Sequence, residues 1–263
     1  WLWPALMMSL LAGTAPAQLS FSSEQVITTA TDYVQTLHAA DMDADGDPDV
    51  LTASFDDSTI AWLENLGGSY SAPRVLTNQA AGALAVMSTD LNGDGLPDVL
   101  AASMLDSSLR WFENLGGGNF GPAQLVTNQA ATVRGIAAAD LDGDGDTDVL
   151  AALRPRNAVV WYENLGGGSF GPENIITQNA LFAQGVHAED LDADGLPDVL
   201  TASTDDDKIA WHRNLGGGNF GPQQVISTQA HNARDVLTAD LNSDGRPDVL
   251  SVSRMDDKLA WYE

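Results

Sequence analysis

Short apolar stretches recur along this chain, and they recur in step. KIAWHRN (208–214) and KLAWYE (258–263) alternate apolar and polar residues and carry an aromatic at the same place, as a half-buried β-strand does. DVLAAS (98–103) and DVLTAS (198–203) are brief continuous apolar runs that follow the Asp-rich loop. FGPQQVIS (220–227) starts at a glycine-rich turn and ends β-branched, and GVHAEDL (185–191) is small and apolar. The pattern predicts about four short strands in every fifty residues, punctuated by Gly, Asn, Asp and Pro, and no helices. In chain order they are strand A before an Asp-rich loop, B after it, C with the Trp, and D after the glycines.

Three markers keep this period. The Asp-rich loops begin at 41, 90, 140, 190 and 240, and the aromatic motif follows at AWLEN, RWFEN, VWYEN, AWHRN and AWYE. The third marker is LGGGNFGPAQLVT, LGGGSFGPENIIT and LGGGNFGPQQVIS. A fixed period of this length signals a repeat architecture, and four strands per repeat predict an all-β propeller of about five four-stranded blades. FSSEQVITT (21–29) aligns with FGPAQLVT and reads as a lone D strand, while the last copy stops at Glu263 after its C strand. Two architectures fit: a closed five-bladed ring in which the first strand completes the last blade, or part of a larger propeller.

Each loop concentrates carboxylates. Asp140, Asp142, Asp144 and Asp148 occupy positions 1, 3, 5 and 9, and position 7, Asp146, can add a backbone carbonyl. The other copies supply Asp41, Asp43, Asp45, Asp47 and Asp49; Asp90, Asn92, Asp94, Leu96 and Asp98; Asp190, Asp192, Asp194, Leu196 and Asp198; and Asp240, Asn242, Asp244, Arg246 and Asp248. Hard oxygens in this number suit Ca²⁺, which takes six to eight at about 2.3–2.6 Å. Without a cation, carboxylates so close repel by several kcal/mol per pair at a protein-like dielectric. The expectation is about five Ca²⁺ ions, one per repeat. An EF-hand is excluded, because its position-12 Glu is replaced by Thr52, Ala101, Ala151, Thr201 and Ser251, and a strand follows instead of a helix.

Composition agrees. The 263-residue chain has 37 acidic and 11 basic residues, a formal charge of -26, and 18 of the acids are the regular loop aspartates. Such a surface argues against nucleic acid, which demands a basic face. Apolar residues make up 44%, enough for a real core, and cysteine is absent, which removes disulfides and thiolate chemistry. Residues 1–17, WLWPALMMSLLAGTAPA, form an apolar stretch ending in the small-x-small Ala15-Pro16-Ala17, expected to be a signal peptide lacking its first residues. The repeat domain then spans residues 18–263, with no membrane span and a secreted or cell-surface location.

The five D-x-[DN]-x-D-G-x-x-D loops, with the pairs Phe120-Gly121, Phe170-Gly171 and Phe220-Gly221, resemble the FG-GAP (VCBS) repeats also found at the head of integrin α chains. The first two units depart from this, with Phe21-Ser22 and Tyr70-Ser71 in place of Phe-Gly. The resemblance implies an extracellular, calcium-stabilised propeller used in adhesion or ligand binding.

The recurring Trp62, Trp111, Trp161, Trp211 and Trp261 suit packing between neighbouring blades better than sugar stacking, since every unit has one at the same place. LGGGSFG lacks a following helix and a G-K-[ST], so it is a hairpin turn and not a phosphate loop. The four histidines, His38, His187, His212 and His231, form no set with a nucleophile, and the aspartates are accounted for by metal, so no catalytic residues are nominated and the protein is expected not to be an enzyme. Function is expected where copies differ. These places are the B–C loops and the position six residues before each Asp loop, which reads Gln35, Leu84, Arg134, Gln184 and Arg234. Both are expected on the face opposite the Asp loops, where Arg134, Arg154, Arg156, Arg234 and Arg254 make a basic ligand rim. The function expected is non-catalytic binding of an extracellular protein or carbohydrate. The alternatives are a lectin-like propeller and an accessory domain of a secreted polysaccharide-degrading enzyme.

Overall fold

The computed structural model describes residues 23–263, so the signal segment expected at 1–17 and the Phe21-Ser22 pair lie outside it. The described residues form five antiparallel sheets in succession along the chain. The first holds β1 (Val34–Ala40), β2 (Asp49–Ser54), β3 (Thr59–Leu63) and β4 (Arg74–Thr77). The second holds β5 (Ala83–Thr89), β6 (Asp98–Ser103), β7 (Ser108–Phe112) and β8 (Gln124–Thr127). The third holds β9 (Val133–Ala139), β10 (Asp148–Leu153), β11 (Ala158–Asn164) and β12 (Phe170–Thr177). The fourth holds β13 (Ala183–Glu189), β14 (Asp198–Ser203), β15 (Lys208–His212) and β16 (Gln224–Ser227), and the fifth β17 (Ala233–Ala239), β18 (Asp248–Ser253) and β19 (Lys258–Tyr262). These are the A, B, C and D strands of the sequence pattern. A single 3₁₀ turn, Arg154–Arg156, is the only helical element among the described residues.

Sheets pack face to face through side chains that alternate along the strands. Leu51, Ala53, Ile60 and Trp62 of the first sheet meet Val86, Val99, Ala101 and Phe112 of the second. Leu100, Ala102, Leu109 and Trp111 then meet Val149, Ala151, Val160 and Tyr162. The third sheet turns Leu150, Ala152, Val159 and Trp161 toward Val186 and Val199 of the fourth. Strands in the middle of the stack are covered on both faces, so β6, β10 and β14 read as unbroken apolar runs. The expected Trp packing is seen directly. A Cβ built on Gly118, Gly168 or Gly218 would lie 2.2–2.4 Å from the ring of Trp62, Trp111 or Trp161 in the preceding sheet. The third glycine of LGGG therefore admits the neighbour's indole, and any side chain there would collide with it.

The A strands pack in sequence, β1 on β5, β5 on β9, β9 on β13 and β13 on β17. Every A–B ladder carries a bulge at the start of A. Pairing skips one residue between Val34 and Thr36, Ala83 and Ala85, Val133 and Gly135, Ala183 and Gly185, and Ala233 and Asp235. Closure by an N-terminal D strand, one of the two architectures the sequence allows, is not observed among the described residues. The fifth sheet has three strands, and residues 23–33 carry none. The outward side chains of that sheet are accordingly bare, with Leu259 70% and Trp261 50% exposed, against 1% for Trp62 and Trp111.

Candidate functional site

The Asp loops join strands A and B at one end of each hairpin. Position 1 organises the loop backbone: Asp140 accepts the Gly143 amide on Oδ1 and the Gly145 amide on Oδ2. Asp41, Asp90, Asp190 and Asp240 accept the equivalent position-6 amide at 2.8–2.9 Å. The position-5 carboxylate accepts the amide of position 7, as Asp144 does from Asp146 and Asp244 from Arg246, both at 2.9 Å. The chain turns through left-handed backbone at position 6, Gly145 at φ +97°, and also at position 4. Position 4 is Gly93 or Gly143 in two loops but Ala44, Ala193 and Ser243 in the others, at φ 61–64°.

This wrapping brings like charges together. One oxygen from each of Asp41, Asp43 and Asp45 lies within 4.8 Å of the others, and so do sets from Asp140, Asp142 and Asp148 and from Asp190, Asp192 and Asp194. Burial, and then the neighbouring carboxylates, hold Asp43 and Asp142 above the ordinary carboxylate value. A convergent, all-oxygen, anionic donor set fits a hard divalent cation. The remaining named positions, Asp47, Asp49, Leu96, Asp146, Leu196 and Asp248 among them, lie on the same loops, with position 9 opening strand B.

Position 9 has a task the sequence reading missed. Asp49, Asp98, Asp148 and Asp198 are fully buried. Asp148 accepts the Leu141 amide on Oδ2 at 2.8 Å and the Asn164 amide on Oδ1 at 2.7 Å. Each of these four aspartates makes the same two bonds, so one carboxylate ties its loop to strand C. The Asn three residues after the strand-C Trp then reaches across the sheet boundary: Asn114 Nδ2 donates to Met42 O, Asn164 Nδ2 to Leu91 O and Asn214 Nδ2 to Leu141 O, at 2.7–2.8 Å. The acceptors all belong to position 2 of the preceding loop, whose side chain (Met42, Leu91, Leu141) plugs the core between sheets. The first three loops are thus wired both to their own strand C and to the next sheet. The signal was present in the invariant spacing from loop to Asn. Burial pushes Asp98, Asp148 and Asp198 up to about 6, against these hydrogen bonds.

The loops are not all alike. Glu113 and Glu263 accept from position-3 Asn92 and Asn242 at 3.4 Å, so this strand-C position faces the loop. In the fourth unit it is Arg213, whose guanidinium pairs with Asp192 at 2.6 Å and Asp194 at 3.0 Å.

At the other end of the hairpins, the B–C turns hydrogen-bond the D–A segments, as in Arg154 N to Thr132 O and Arg254 N to Asn232 O, so the two variable regions share one face. The five variable residues Gln35, Leu84, Arg134, Gln184 and Arg234 are the bulged residues, and a bulge re-aims its side chain. Arg134, Gln184 and Arg234 line a concavity of about 430 Å³ along the A strands. Burial, and then repulsion from Arg154 and Arg234 on Arg134 and from Arg254 and Arg154 on Arg234, lower the proton affinity of Arg134 and Arg234. The expected rim loses one member. Arg156 turns away to a two-pronged pair with Glu173 at 2.5–2.6 Å, because the 3₁₀ turn sends it toward strand D. His38 and His187 line the same concavity and are pushed down by burial.

The sequence model of a family described as FG-GAP-like repeat matches residues 41–101, 90–151, 141–201 and 190–251. No curated protein matches the chain. Among solved structures, it is similar to an Agrocybe aegerita lectin that recognises non-reducing terminal N-acetylglucosamine, with TM-score 0.61 and 22% identity. That likeness covers 82% of this chain and 60% of the lectin, so the chain spans under two thirds of its length. A luciferin-regenerating enzyme gives TM-score 0.58 at 12% identity, over 86% of this chain and 73% of that one. The V. cholerae biofilm matrix protein Bap1 gives 0.50 at 19% identity, over 89% and 38%. At these identities the likeness is one of fold: propeller-like and all-β. Among the described residues, no helix is long and apolar enough to cross a membrane.

Proposed function

The chain belongs to the FG-GAP-like repeat family, and on that premise we propose that it is a secreted or cell-surface, calcium-stabilised β-propeller module that binds a ligand without catalysing a reaction. The five sheets are its blades, and residues 18–263 are one repeat domain. Calcium would be held by the side-chain oxygens at positions 1, 3 and 5, with position 9 and the position-7 carbonyl completing the set. Its contribution is charge neutralisation and a rigid A–B corner, and its binding energy adds to folding. The protein's own part is to join that corner to the next blade through the position-9 carboxylate and the Asn of strand C.

One observation carries the reading. The loop that gathers the carboxylates also supplies the backbone carbonyl to which the next sheet is bonded. A cation there would brace the stack, which suits a scaffold, and leaves ligand binding to the variable face. The ligand is an extracellular protein or carbohydrate. Thermal unfolding in millimolar calcium and in excess chelator tests the metal: chelation is expected to lower the midpoint by roughly 10 °C or more, since several kcal/mol are at stake at about 2–4 °C per kcal/mol for a chain of this size. Equal midpoints would overturn the calcium role.

A further inference from the structure

The chain has eleven basic residues and 37 acidic ones, so carboxylate partners are plentiful. Arg74, Arg110, Arg156, Lys208 and Lys258 each take one, and Arg213 takes two. Among the described residues five bases form no ion pair, and of these Arg134 and Arg234 line the concavity along the A strands, with Arg154 and Arg254 near enough to repel them. Nε of Arg134, Arg154 and Arg234 is sealed from solvent with no acceptor. Arg154 is held over the ring of Phe182 at 4.3 Å, which fixes its plane. The one carboxylate lining the concavity, Asp235, already accepts the Val236 amide. Beside these donors sits an acceptor: Oε1 of Gln184 is buried and has no donor.

We propose that this concavity and its edge are a binding site for an acidic saccharide, its carboxylate or sulfate taken by Arg134, Arg154 and Arg234 and a neighbouring hydroxyl by Gln184. A fully ionised inorganic anion would leave the Gln184 oxygen unserved, whereas a sugar acid brings both an oxyanion and hydroxyl donors. The volume suits one or two sugar rings, at the small end of ordinary ligand pockets. A guanidinium cluster matches a planar carboxylate or a sulfate edge in two-pronged geometry. The site rests on the ligand-binding reading above and names its ligand class.

Calorimetric titration in calcium buffer would use a glucuronate disaccharide, a sulfated disaccharide, the neutral parent disaccharide and an Asp/Glu-rich peptide. Binding is expected for one or both acidic sugars and not for the neutral one. The Arg134→Ala/Arg234→Ala variant is expected to weaken it at least tenfold with an unchanged melt, and Arg134→Gln/Arg234→Gln to do the same if the first variant folds poorly. Binding of the peptide alone, equal binding of the neutral sugar, no binding, or full affinity in the double variant would each overturn the proposal. A calcium-insensitive melt would strike the metal reading without touching this one.

A second inference comes from Arg213. It stands where four other units have Glu64, Glu113, Glu163 and Glu263, and its guanidinium pairs with positions 3 and 5 of the fourth loop. We propose that Arg213 is a tethered cation that lowers the calcium affinity of the fourth loop, so that the chain has four strong sites and one weak one. This rests on the loops being calcium sites. Calcium titration of metal-stripped protein, with stoichiometry read by native mass spectrometry, is expected to fill four sites first and the fifth at least tenfold more weakly. Arg213→Glu is expected to bring the fifth level with the rest. Five equal sites in the parent, or an unchanged pattern in Arg213→Glu, would overturn it; no bound calcium at all would overturn the loop reading with it.

Discussion

Every A strand runs between two unlike ends. At one end is the Asp loop, whose hydrogen bonds repeat from sheet to sheet with nearly the same lengths. At the other is a bulge, equally regular in backbone, whose residue is Gln, Leu, Arg, Gln and Arg in turn. The loop end is tied into the core through buried carboxylates and cross-sheet amides. The bulge end turns Arg134, Gln184 and Arg234 into a concavity and leaves Nε of Arg134, Arg154 and Arg234 without an acceptor among the described residues. Repetition marks the end that holds the stack together, and variation marks the end that is free to recognise something. The lesson is that in a repeat protein the backbone device can be constant while its side chain carries the specificity.

The contrast breaks most visibly at Asp148. Asp148→Ala leaves the amides of Leu141 and Asn164 buried without an acceptor, at about 1–3 kcal/mol each, so a loss of roughly 4 kcal/mol is expected in chemical denaturation. Arg134→Ala, at the other end of the neighbouring strand, is expected to change stability by under about 0.5 kcal/mol, as substitutions outside packed networks do.

Acidity separates the ends next. Burial raises Asp98, Asp148 and Asp198 to about 6, from an ordinary carboxylate value of 3.8. Between about pH 4 and 6 the folded, metal-free chain then binds more protons than the unfolded one, so its stability falls as pH rises through that window. In chelator, the melting temperature is expected to be higher at pH 5 than at pH 7. With calcium the order is expected to reverse, because protons compete with the ion for the same carboxylates. The smallest effect concerns position 4. Ala44, Ala193 and Ser243 hold left-handed backbone at a cost of about 1 kcal/mol each, so Ala193→Gly is expected to raise stability by up to that amount.

Much of this was legible in the sequence. Period-two patterning and the 50-residue repeat gave the strands and their order, because strands covered on both faces must be apolar throughout. The loop aspartates stood out by spacing alone. Three things were not legible. The Asp148–Asn164–Leu91 chain of bonds joins residues far apart in sequence, and a single copy of the motif does not show which sheet an amide reaches. Bulges leave no mark on composition, so Arg134 and Arg234 were legible as members of a basic rim but not as bulged residues lining a concavity along the A strands. Arg156 was grouped with Arg154 by proximity in sequence, but a 3₁₀ turn sends near neighbours to different sides.

The central claim is that a bound cation stabilises the loop end and, through it, the junction between sheets. Site-resolved amide hydrogen exchange in calcium and in chelator tests it most directly. The account predicts that the Leu141 and Asn164 amides, both donors to Asp148, lose protection when calcium is removed, and that amides beside the Arg134 bulge lose much less. Equal protection of Leu141 and Asn164 in both buffers would contradict it.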